Sequence, residues 1–235
     1  RSTLFPYTTL FRSTNFIWLL FKKAVEMIEN QKVRDEADFW ADRVYEKLGE
    51  ARNHYKKIRT DEFDTQPTSE KDAVYNALYE CLWSAYKDRF TKFTESFGYN
   101  IRAIFSGDNE YKPKMNGLSK KYPELGDIKK LIDNQKKNWQ DTLRDNRNGN
   151  THDGDFRGRE IAPINNKETA KFLFIAITKT IEMLGIVLLS YKLPKDFNVV
   201  TVNKTATVFD RMHRYEIRHA IRGIDPKPLF EYPYY

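Results

Sequence analysis

Apolar residues along the 235-residue chain recur mostly at three- and four-residue steps, the period of an amphipathic helix. A helix is predicted over Asn15–Gln31, with Phe16, Leu20, Ala24, Met27 and Ile28 on one side. A longer one is predicted over Val33–Ile58, carried by Trp40, Val44, Leu48, Ala51, Tyr55 and Ile58. Its other faces are dense in Asp, Glu, Arg and Lys, which reads as a solvated surface. After a loop at Thr60–Thr68, Ser69-x-x-Asp72 has the form of a capping box. The helix it opens runs to about Ser96 on a face of Val74, Leu78, Cys81, Leu82, Ala85 and Phe93. Tyr75, Tyr79, Trp83 and Tyr86 widen that face. At helical spacing such a ladder reads as core in preference to a platform for stacked bases.

Between residues 97 and 127 the period fails. Gly98, Gly107, Pro113, Gly117, Pro123 and Gly126 interrupt few periodic apolars, so a long irregular loop is expected, with a short helix near Asn100–Phe105. Asp127–Asp145 is again helical, on Ile128, Ile132, Gln135, Trp139 and Leu143, and one more step of four reaches Arg147. A polar loop follows at Asp153–Asn165, and Asn165-x-x-Glu168 forms a second capping-box pattern. Phe172–Tyr191 is the most apolar helix and the expected centre of a bundle. The β-branched run Asn198–Val208 predicts a small β-hairpin turning at Asn203-Lys204. A final helix is expected over Phe209–Ile221, then an extended tail from Pro226. The fold class expected is therefore all-α: a helical bundle forming one domain over residues 14–235.

Composition changes this picture in three places. Residues 3–13 resemble the translation of a sequencing-library adapter, so 1–13 are read as a non-native segment outside the fold. The net charge is +7, two of those charges being Arg1 and Arg12. The excess suits a polyanionic partner without demanding one. A single cysteine, Cys81, excludes an internal disulfide and fits a reducing, cytoplasmic setting; on an apolar stripe it reads as buried filler. Lys179 and Glu182 inside the most apolar helix, with Lys171 and Lys192 beside it, argue against a membrane span. The sequence carries no glycine-rich phosphate loop and no Cys/His metal spacing, so neither cofactor nor metal is expected. His54 lies beside its stripe with no ligand-like partner and reads as structural.

The densest chemistry lies at Arg147-Asn148-x-x-x-His152. A guanidinium is permanently charged and forks onto phosphate oxygens. An imidazole moves protons near neutral pH, and the Asn148 amide can hold a phosphate or orient the imidazole. RNA suits such a set because its 2′-hydroxyl is a built-in nucleophile. The motif at the end of a helix, followed by a strongly apolar helix in an all-α chain, resembles the HEPN superfamily. That resemblance implies a compact helical bundle and, in many members, a metal-independent endoribonuclease of toxin or antiviral defence systems. It further implies a homodimer whose paired motifs build one composite site, with Arg147, Asn148 and His152 catalytic. An antitoxin or defence-system partner is also implied. His152 is followed by Asp153-Gly154 and not by a His-x-Tyr continuation, a departure that argues against a nucleotidyltransferase antitoxin. Two other readings stand beside this one. The residues could cap helices and pair with Asp145, Asp153 or Asp155, or the bundle could bind a nucleotide or protein without cutting. A second Arg-x4-His spacing, Arg214 to His219, lacks the Asn and sits among Arg211, His213, Arg218 and Arg222, where it arises easily by chance.

Overall fold

The computed structural model describes Trp18, Phe21, Lys22, residues 24–123, helical positions 132, 133, 136, 140, 141, 143 and 144, residues 165–192, and strand residues 197–201, 215–219 and 227–228. The adapter-like segment lies outside the described residues.

α1 spans Gln31–Ile58 and is the longest described helix. It starts where Asn30 accepts a hydrogen bond from the Val33 amide at 3.1 Å, satisfying one of the orphan donors of the first turn. Ala37, Ala41, Val44, Leu48, Ala51, Tyr55 and Ile58 are buried, alternating steps of four and three. The stripe therefore departs from the sequence reading at its N-terminal end. Ala37 and Ala41 occupy the contact, and Trp40 is only half-buried. The preceding helical residues, at 18–26, run back along α1. Trp18 donates to Asp42 at 3.0 Å, and Lys22 reaches both Asp38 at 2.6 Å and Asp42 at 2.8 Å. That first helix ends at residue 26 and not at Gln31, and Arg34 closes the corner by donating from Nε to the Ile28 carbonyl at 2.7 Å.

α2 (Asp61–Thr65) is a single short turn that buries Phe63 edge-on against Tyr75, with ring centroids 5.3 Å apart. α3 (Thr68–Trp83) continues through a π-helical stretch, Ser84–Phe90, into α4 (Thr91–Ser96). The π stretch changes the angular step, so buried residues run without a gap from Cys81 to Tyr86. The aromatic residues Tyr75, Tyr79, Trp83 and Tyr86 are all buried; they are core. α4 closes in a Schellman motif. Gly98 takes φ +84, its amide donates to Glu95 O at 2.9 Å, and that of Tyr99 donates to Thr94 O at 2.9 Å.

The long loop expected over 97–127 is corrected. A 3-10 turn at Arg102–Phe105 leads into α5, Asp108–Lys121. Tyr111, Met115, Leu118 and Tyr122 supply its buried stripe at steps of four, three and four. Pro113 lies on the exposed side, so the backbone bond it removes is lost where water can replace it.

α6 (Lys167–Lys192) is central, as its composition implied. Ala170, Leu173, Phe174, Ile177, Ile181, Leu184 and Leu188 are buried, and Phe174 stacks on Tyr55 of α1 with centroids 5.1 Å apart. Gly185 allows the closest approach: a Cβ there would stand 2.7 Å from Phe21 Cε1. Phe21 itself stacks on Phe93 at 4.1 Å.

The described helices pack together as an all-α bundle. A small antiparallel sheet follows α6: β1 (Phe197–Thr201), β2 (Tyr215–His219) and β3 (Lys227–Pro228), in that spatial order. β1 falls in the predicted β-branched run and pairs with β2, with Val199 opposite Ile217; the turn expected at Asn203-Lys204 lies outside the described residues. The helix expected over 209–221 is thereby corrected, since Tyr215–His219 is extended. No described helix is long and apolar enough to cross a membrane.

Candidate functional site

Arg147, Asn148 and His152 lie outside the described residues. The structure does describe how the chain arrives at them and how it returns to the bundle.

The approach contains the described helical positions 132, 133, 136, 140, 141, 143 and 144. Ile132 and Leu143 are buried, as the periodicity predicts, and among the described residues between them Lys136 and Gln140 are buried too. Both carry polar groups that must be satisfied inside the fold. Lys136 Nζ binds Asp141 Oδ1 at 2.7 Å and donates to the Ser106 carbonyl at 3.3 Å. It also lies 4.9 Å from the Tyr111 ring centroid, and its side chain is only 7% exposed. Gln140 Nε2 donates to the Ile104 carbonyl at 2.8 Å. Tyr111 Oη donates to Asp133 Oδ1 at 2.8 Å, and Arg144 joins through Asp141 at 3.0 Å. Burial pushes the Tyr111 hydroxyl well above its ordinary range, and the Asp133 carboxylate adds to the shift. At neutral pH Tyr111 is therefore a fixed donor.

This cluster ties three pieces of chain together: the 3-10 turn, α5, and the segment leading to Arg147. The carbonyls of Ile104 and Ser106 find their partners in side chains of the approach segment. The sequence reading did not mark Lys136 and Gln140 as buried; Gln135 and Trp139, which it placed on the stripe, lie outside the described residues. The available signal was the spacing Ile132, Lys136, Gln140, Leu143, which is equally helical.

The return is anchored as well. Neither predicted capping box forms. Pro67, not Ser69, occupies the N-cap of α3, and α6 is capped by Asn166, whose Oδ1 accepts from the Thr169 amide at 2.8 Å. One residue from each box meets the other instead: Asn165 Nδ2 donates to Asp72 Oδ1 at 2.8 Å. Lys167 adds an ion pair to Asp64 at 2.6 Å. The residues on either side of the motif-bearing stretch are thus both held to the bundle by polar side-chain contacts.

Of the other groups considered from sequence, Cys81 and His54 are described. Cys81 is buried, donates to Glu50 Oε2 at 3.4 Å, and has its thiol pushed up to about 11 by burial and then by that carboxylate. A protonated buried thiol is a poor nucleophile. Burial lowers the His54 pKa, with Glu50 partly opposing it, which leaves a neutral imidazole at pH 7. Of the second Arg-x4-His spacing, Arg214 is outside the described residues and His219 ends β2, paired in register with Phe197 and Lys227. A cleft of about 330 Å³ at the α1 corner is lined by Lys22, Glu26, Arg34, Asp35 and Asp38. Its cations are already engaged by Asp38, Asp42 and the Ile28 carbonyl, so it offers no ready anion site. Among the described residues no group of three or more His, Cys, Asp and Glu side chains is placed to hold a metal ion.

No known protein family, curated protein or solved structure matches this chain.

Proposed function

We propose that the protein is a HEPN-type endoribonuclease of a defence or toxin system, acting as a homodimer and cutting RNA without a metal ion. The observation that carries this reading is the Arg147-Asn148-x-x-x-His152 motif in an all-α chain. The polar anchoring of the segments before and after the motif supports it, because catalytic groups need a fixed frame.

In this mechanism the 2′-oxygen attacks the adjacent phosphorus and the bond to the 5′-oxygen breaks. His152 moves the proton lost by the 2′-hydroxyl or gained by the leaving oxygen. Arg147 stabilises the charge that develops on the phosphoryl oxygens, and Asn148 orients the group. The products carry 2′,3′-cyclic phosphate and 5′-hydroxyl ends. A second reading, a HEPN-like module that binds a nucleotide or protein partner without cutting, draws on Asp145, Asp153 and Asp155. These carboxylates stand close enough in sequence to engage Arg147 and His152 internally.

RNA cleavage in EDTA by the wild-type chain and His152→Ala separates the two. The nuclease reading expects activity in the wild type and a loss of at least about a hundredfold in the variant. Binding without cleavage under all conditions favours the second reading.

A further inference from the structure

We propose that the exposed face of α5 is an RNA-backbone-binding ridge. The inference rests on the RNA-cutting function proposed above and names the surface that would hold the substrate.

The first argument is charge. From Tyr111 to Lys121 the helix carries Lys112, Lys114, Lys120 and Lys121 and no acid. Lys114 is neutralised by Glu110 one turn earlier. Lys112, Lys120 and Lys121 are exposed, and among the described residues none of them pairs with a carboxylate; Lys121 instead lies over the Tyr122 ring at 5.1 Å. Several cations elsewhere on the bundle are neutralised: Lys22 by Asp38 and Asp42, Arg43 by Glu46, Lys47 by Glu50, and Arg102 by Glu95. Among the described residues, Lys112, Lys120 and Lys121 are thus left to meet an external anion.

The second argument is shape. Besides the lysines, the exposed positions of α5 are Asn109, Glu110 (paired with Lys114), Pro113, Asn116 and Gly117. Apart from Glu110 these are short side chains, and nothing lies within 4 Å of a Cβ built at Gly117. Such a face lets a sugar-phosphate chain lie close while lysines on either side reach its phosphates. The third argument is place. Tyr111 on the buried side of α5 holds Asp133 and carries Lys136 over its ring. The ridge is therefore bound directly to the segment that leads to the motif.

A polyanion of repeating charge fits this surface better than an acidic protein patch, because the lysines are separated along the helix and carry no apolar anchor between them. The test is fluorescence anisotropy with a labelled single-stranded RNA across a salt series. It compares the wild type, Lys112→Gln/Lys120→Gln/Lys121→Gln, and Arg147→Ala/His152→Ala. The ridge expects the lysine variant to bind about tenfold or more weakly, with a log–log salt slope shallower by about two, since each phosphate neutralised on a single strand contributes about 0.7. It also expects KM for cleavage to rise with kcat unchanged. Unchanged affinity and slope in the lysine variant would overturn the ridge and leave the nuclease reading intact. Unchanged slope with loss of self-association in sedimentation would overturn it in favour of a protein-facing surface. Absence of RNA binding by the wild type would overturn both. Circular dichroism of the lysine variant controls for folding, which exposed Lys→Gln changes leave within about 0.5 kcal/mol.

Discussion

Two helical contacts in this protein are made of opposite materials. Where α1 meets the bundle, the contact is aliphatic and aromatic: Val44, Leu48, Ala51, Tyr55 and Ile58 against residues such as Phe174. Where the approach segment meets the 3-10 turn and α5, the central contacts are Lys136 to Asp141 and Ser106, Gln140 to Ile104, and Tyr111 to Asp133. Apolar burial is non-directional and supplies most of the stability. Hydrogen bonds from buried side chains to particular carbonyls are directional, so they fix rotation and register more than they add free energy. The bundle is held by the first kind of contact. The helical segment that precedes Arg147 in sequence adds the second kind to its buried Ile132 and Leu143.

The largest effect should come from the apolar side. Leu48 is fully buried, and Leu48→Ala should lower global stability by about 3 kcal/mol in urea unfolding, through lost transfer energy and the cavity left behind. A loss below about 1 kcal/mol would mean that α1 is not the spine of the bundle. Gly185→Ala comes next. Its Cβ would press on the ring of Phe21, already stacked on Phe93, and overpacking of this kind costs about 1–3 kcal/mol; thermal unfolding would read it.

Lys136→Met sharpens the contrast. It leaves Asp141 with Arg144 and removes the donor to Ser106. Asp141 is partly exposed, so the loss of stability should be only about 1–2 kcal/mol. Amide exchange should accelerate in the 3-10 turn and the approach segment while α1 stays protected. Uniform acceleration over the whole chain would show that the polar contact is not local.

The smallest effect is a pH dependence confined to buried tyrosines. Tyr79, Tyr86 and Tyr111 are each raised above the ordinary value near 10, chiefly by burial. Their contribution to stability is complete below pH 10 and is lost as the pH rises, because the unfolded chain releases the phenolic protons first. A 295 nm titration should show these three ionising only with unfolding. Reversible ionisation of all the tyrosines near pH 10 in the folded chain would refute their burial.

The apolar contacts were legible in the sequence because periodicity reports burial directly. The stripes on α1 and α3 fall where Val44 through Ile58 and Val74 through Leu82 predict them, and the most apolar helix, α6, is buried as expected. α5 was hidden: Pro113 and Gly117 look like breakers, yet both face solvent, and the stripe Tyr111, Met115, Leu118, Tyr122 is spread among lysines. The polar contacts were not legible, because a buried Lys136 or Gln140 has the same letter as an exposed one. Ser69, Asp72, Asn165 and Glu168 matched a local capping pattern, but the contact that forms joins Asp72 to Asn165 across the fold. Of the candidate site, the sequence supplies the residues and the structure describes the ground on either side of them.

The most direct test of the function is the chemistry of the cut ends. RNA incubated with the full chain in EDTA, then analysed by mass spectrometry, should yield 2′,3′-cyclic phosphate and 5′-hydroxyl termini. His152→Ala should yield neither. Termini of 3′-hydroxyl and 5′-phosphate type, a requirement for Mg²⁺, or full activity in His152→Ala would contradict a metal-independent nuclease built on Arg147 and His152.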